Sequence, residues 1–189
     1  MKIYYQTTGY TCGPASSIMI LEHFGLVKNA DINLELDISK GSNLFEGNPA
    51  SGFPGLAINI MGRGLKAELH HESYNSIIGR FILGSSSYWK VREIIKRYSQ
   101  QETKACEKGL LVKYKNPILE DIVSDLKKDR KIISRISFEE IPHLVVINSF
   151  TETNFEIYCP IEGIYNCPRE EFMSKMNFIT GRSYLSLWK

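Results

Sequence analysis

The segment Gln6–Gly25 reads QTTGYTCGPASSIMILEHFG, a polar run leading into a helix with almost no polar face. Pro14 suits the first helical turn, where its missing N–H costs nothing. Ala15–Phe24 is apolar round most of its circumference, which places the helix inside the domain rather than on its surface. Gly25 is a natural C-terminal stop. Cys12 then lies at the helix N-terminus, among unpaired backbone N–H groups and at the positive end of the dipole. Both favour the thiolate, the nucleophilic form. A buried structural thiol fits the same place, because cysteine is among the most buried residue types.

The totals narrow the setting. The 189 residues fit one domain spanning 1–189, and a hydrophobic fraction of 43% supplies its core. Charged residues nearly cancel at +2, which gives no basis for a nucleic-acid partner. No apolar run approaches the roughly 18–20 residues of a membrane span. A signal-peptide pattern is missing, since polar Gln6–Gly9 follows only five residues; a cytoplasmic location is expected. Cys12, Cys106, Cys159 and Cys167 form no CxxC pair, so a zinc knuckle is not expected, and nothing else in the sequence implies a metal or organic cofactor. In a reducing compartment Cys159 and Cys167 read as packed thiols rather than a disulfide.

Outward from the first helix, Gly41–Gly55 reads as the richest loop. A second helix is expected from Pro54 to Gly62–Gly64, with Leu56, Ile60 and Met61 inward. Ser87 can cap a third, which buries Val91, Ile94, Ile95 and Tyr98. Asn116-Pro117 opens an amphipathic helix through Ile118, Leu119, Ile122, Val123 and Leu126. The period then shortens. Ile132–Ile136, His143–Ile147 and Phe155–Tyr158 read as strands, the last two joined as a hairpin through Thr151–Asn154. Cys167-Pro168 starts a short helix, and Tyr184–Trp188 is a closing strand. The expected class is α+β, an N-terminal helical half packed on a C-terminal antiparallel sheet.

A cysteine nucleophile needs a base from elsewhere in the chain. His23 lies three turns along the same helix and cannot reach back. His70 and His71 follow an expected strand, Leu65–Leu69, and read as exposed residues on opposite sides of the chain. His143 begins an apolar strand and can face the helix start, although a strand-end histidine satisfied by backbone fits as well. Gln6 and the Cys12 N–H can serve as oxyanion donors; a solvated loop glutamine is the plainer reading of Gln6.

Gln6, Cys12-Gly13 and a distant His143-Leu-Val-Val resemble the papain-like cysteine peptidases. TCGPASSIMILEHFG resembles the opening of the bacteriocin-processing, double-glycine leader peptidase family and its stand-alone relatives. GFPGLAINIMGRGLKAEL, PHLVVINSF and YCPIEGIYNCPREEF resemble its later segments in order. The resemblance implies Cys12 as nucleophile, His143 as base and acid, Gln6 as oxyanion donor, and a peptide or protein substrate. That family usually has Asp-Pro on the strand after the histidine, the Asp orienting the imidazole. This chain has Cys159-Pro160 there, and a thiol is a weak substitute. Asn148, Asn154 and Glu162 are the candidate replacements. Three functions remain open: a cysteine hydrolase, an acyltransferase or transpeptidase using the same thioester, and an inactive peptide-binding pseudoenzyme.

Overall fold

The computed structural model describes residues 1–45, 48–72, 88–139, 141–176 and 181–189. Helix α1 (Cys12–His23) forms as its apolar run requires, with every residue from Gly13 to Leu21 buried. Gly25 ends it at φ +71°, a conformation glycine enters without steric cost. Gly13 is demanded by packing. A Cβ there would lie 3.0 Å from Leu144 Cδ1 and 3.1 Å from Leu56 Cδ1, so glycine lets the helix start press against its neighbours.

In its described residues the Gly41–Gly55 segment is structured, contrary to the loop expectation. It holds the end of α2 (Ile32–Ser42), the hairpin β1 (Asn43–Phe45) and β2 (Asn48–Ser51), and the start of α3 (Phe53–Met61). Ser42 joins helix to hairpin, bonded to Ser51 Oγ at 2.9 Å. Helix α2 hides from an apolar-period reading because its buried positions are Glu35, Ile38, Ser39 and Ser42. In α3, Leu56 and Ile60 are fully buried while Met61 is half-buried against the same core.

Helix α4 (Tyr88–Glu107) buries Ile94 and Tyr98; its expected cap Ser87 and the Val91 side chain lie outside the described residues. Helix α5 (Leu119–Lys127) buries Ile122 and Leu126 and leaves Ile118, just before it, exposed. The strands are β3 (Lys66–His71), β4 (Leu111–Tyr114), β5 (Lys131–Phe138), β6 (Ile141–Phe150), β7 (Asn154–Cys159), β8 (Gly163–Pro168) and β9 (Ser183–Trp188). Helix α6 (Arg169–Met176) starts just after Cys167-Pro168, which close β8 instead of opening the helix.

Among the described residues the main sheet runs β4-β3-β9-β5-β6-β7-β8. The chain's last strand thus sits in the middle, antiparallel to both β3 and β5. The C-terminal strands are antiparallel as expected, but β3 and β4 extend the sheet from the other half and pair parallel. Parallel neighbours need a long crossover, and the chain between them includes α4. Strand alternation gives the sheet two apolar faces. Ile133, Leu144, Val146, Leu185 and Leu187 pack with α1 and α3. Ile132, Ile136, Val145, Ile147 and Ile157 pack with α5 and α6, a second helical layer beyond the two-layer expectation.

Candidate active site

Helix α1 meets the sheet at the start of β6. Ser16 Oγ donates to Leu144 O at 3.2 Å, and the same residue's side chain limits Gly13. This docking brings the half-buried Cys12 beside the backbone that follows His143. Burial raises the Cys12 pKa above the ordinary thiol value. The Leu144 and Gly13 N–H groups and the Arg135 charge oppose that rise without cancelling it. The lowering expected from the helix terminus is therefore outweighed by desolvation.

Arg135 was not singled out from sequence. It lies opposite Leu144 on β5, on the α1 side of the sheet, with its guanidinium 5.2 Å from the Phe53 ring centroid. Only the strand register reveals that the arginine within Ile132–Ile136 faces the cysteine helix.

His143 is buried, and it lies opposite Ile136 in an unbroken register. Alternation sends its side chain to the β6 face shared with Val145 and Ile147, while Leu144 faces α1. Its Nε2 lies 3.3 Å from Cys159 Sγ, and its ring centroid is 5.4 Å from that of Phe138. No hydrogen bond joins His143 to Cys12 among the described residues. Burial pushes the imidazole down to about 4, so it is neutral near pH 7.

Cys159 itself is fully buried and makes the contact that an orienting residue would make. The Glu162 N–H also donates to its sulfur at 3.4 Å. Burial raises this thiol as well, so both partners are neutral. The three candidate replacements do not reach the ring. Asn148 Nδ2 donates to Glu156 Oε2 at 2.5 Å, Asn154 Nδ2 to Thr153 Oγ1 at 2.9 Å, and Glu162 contributes its backbone. Cys159 and Cys167 are free, buried thiols.

Gln6 enters the site from the N-terminal segment. Its backbone N–H donates to Pro160 O at 3.0 Å, next to Cys159. Its Nε2 donates to Thr8 O at 2.7 Å, while its Oε1 is buried without a partner among the described residues. The segment is held by Glu35, a fully buried carboxylate that accepts from Tyr4 Oη at 3.1 Å and Thr7 N at 3.0 Å. That clamp brackets Gln6 on both sides.

His70 and His71 are buried on β3, correcting the exposed reading. As alternation requires, they take opposite faces: His70 stacks on Tyr184 and His71 packs edge-on to Tyr114. No helix among the described residues is long and apolar enough to cross a membrane.

A mixed sheet with a central cysteine-bearing helix is the architecture of papain-like C39-related proteins. The Peptidase C39-like family matches residues 1–163, and the chain belongs to that family. Two solved structures share the fold. One is a double-glycine motif protease from an AMS/PCAT transporter, in complex with the leader peptide. It is 14% identical, with a TM-score of 0.54, covering 100% of this chain and 91% of that one. The other is the peptidase domain of Streptococcus ComA, a bifunctional ABC transporter involved in quorum sensing. It is 15% identical, with a TM-score of 0.53, covering 99% and 96%. No curated protein sequence matches the chain.

Proposed function

We propose that the protein is a cysteine-dependent peptidase or amidase, with Cys12 as nucleophile and His143 as base and acid. The observation that carries this reading is the docking of α1 on β6. It sets Cys12 beside the His143–Leu144 backbone, while Cys159 engages Nε2 and leaves Nδ1 for a second partner. The Cys12 thiol gives its proton to His143, and its sulfur attacks the scissile carbonyl. The Cys12 N–H and a reoriented Gln6 amide stabilise the oxyanion. His143 returns the proton to the leaving amine, and water resolves the thioester. This reading requires a Cys12–His143 hydrogen bond to form in the peptide complex, as catalytic hydrogen bonds often tighten only with substrate bound. The leader peptide bound by the transporter protease makes a double-glycine peptide the first substrate to try.

A second reading has its own support. A neutral thiol stands where the resembled family has an aspartate, the imidazole is held down to about 4, and Gln6 Nε2 is spent on Thr8 O. These features suit a protein that holds a peptide without cleaving it. Incubation with double-glycine peptides, followed by mass spectrometry, separates the readings. Cleavage that Cys12→Ala abolishes supports the peptidase; product that appears only with an added amine supports acyl transfer. Peptide binding without turnover, with Cys12 alkylated no faster than Cys106, refutes the enzyme.

A further inference from the structure

Away from Cys12, the sheet face under α5 buries an unusual polar group. Glu68 and His70 leave β3 on one side, and Asp125 reaches them from α5; all three are buried. His70 Nε2 lies 2.5 Å from Glu68 Oε1 and 3.6 Å from Asp125 Oδ2, so one ring nitrogen faces two carboxylates. One ligand atom from each of the three lies within 4.8 Å of the others. A second observation stands beside this convergence. Ser186 of β9 is directly opposite Glu68, and in an antiparallel pair opposed residues share a face. Ser186 is fully buried, and its hydroxyl has no hydrogen-bond partner among the described residues. A buried orphan hydroxyl costs free energy unless something fills the space it faces.

We propose that Glu68, His70 and Asp125 form a binding site for one divalent transition-metal ion of the zinc class, ligated through nitrogen and oxygen alone. One imidazole with two carboxylates suits zinc and its neighbours, whereas calcium and magnesium take oxygen ligands. Ligands at zinc distances of about 2.0–2.2 Å in tetrahedral geometry stand about 3.4 Å apart. The Asp125 oxygen already meets that spacing, and Glu68 must withdraw by about 1 Å.

The ion replaces a cation the protein now supplies. Lys113 Nζ sits 2.6 Å from Glu68 Oε1, but its side chain is 52% exposed on edge strand β4 and can swing into solvent. Arg130 stays, 3.2 Å from Asp125 Oδ1, and Tyr184 Oη donates to Oδ2 at 3.1 Å. These outer partners orient the carboxylate as ligating carboxylates require. A bound ion would tie β3 to α5, two elements joined here through side chains.

Cobalt(II) titration of the full chain tests the site. One equivalent binds, with an absorption spectrum free of thiolate-to-metal charge transfer. Glu68→Gln and His70→Asn each weaken binding by at least about tenfold. In the wild-type protein, cobalt shifts the His70 ring resonances, a readout that survives if either variant fails to fold. Absence of binding, a thiolate band, unaltered affinity in both variants, or unshifted His70 signals would overturn the proposal.

Discussion

Replacing Cys159 with aspartate restores the residue type that the resembled family places behind its histidine, and the consequence can be worked from the geometry. Cys159 Sγ lies 3.3 Å from His143 Nε2, and the wild-type imidazole is held down to about 4 by burial. A carboxylate at that distance attracts the imidazolium by about 5 kcal/mol at an effective dielectric near 20. That equals roughly 3.7 pK units, from which desolvation of the new carboxylate subtracts. The Glu162 N–H that already points at the sulfur would donate to the carboxylate and offset part of that cost. The expected net rise is about 1–3 units, lifting His143 from about 4 into the range of about 5–7. NMR titration of the His143 ring in wild type and Cys159→Asp measures it directly, whether or not peptide is cleaved. A folded variant whose His143 titrates at or below the wild-type value would refute the reasoning, because it would mean that the position does not govern the imidazole.

Other outcomes follow from the same structure. His143 is nearly 5% exposed and its pKa drops from 6.5 in the unfolded chain to about 4 in the folded one. Between those values the unfolded chain binds the extra proton, so stability falls as pH drops through the window, by up to about 3 kcal/mol at its lower end. Denaturant unfolding of His143→Gln should lack that share of the slope. Gly13→Ala places a Cβ 3.0 Å from Leu144 Cδ1 and should cost about 1–3 kcal/mol, read as a lower Tm. Glu35→Ala leaves the Tyr4 hydroxyl and Thr7 N–H without their acceptor and should cost about 1–3 kcal/mol, with faster amide exchange at Thr7. Because burial raises Cys12, its alkylation should accelerate steadily as pH rises past neutrality, and a rate already maximal at pH 6 would contradict this.

Local signals located much of the architecture. Pro14, the largely apolar run Ala15–Phe24 and Gly25 are enough to define α1, and β-branched runs are enough for β5 and β6. Where the local pattern is polar, the reading failed. Helix α2 turns Glu35 and three other residues inward, two of them serines, so no apolar stripe announces it. His70 and His71 look like surface residues by type, yet partners from distant strands and helices make their burial tolerable. Such partners have no sequence signature, since Asp125 and Glu102 lie tens of residues away.

Cys12, Gln6, His143 and the Cys159 departure could be singled out as candidates from sequence because each sits at a recognisable junction of helix, strand or motif. Sequence alone determines that a cysteine opens a buried helix and that a thiol follows the histidine strand. Only tertiary structure decides what those groups experience. Desolvation overrides the helix terminus at Cys12, strand register turns His143 toward Cys159 rather than directly onto Cys12, and Arg135 arrives beside α1 through pairing with Leu144. Charge state and side-chain facing depend on neighbours brought together by packing, and packing is a property of the whole chain.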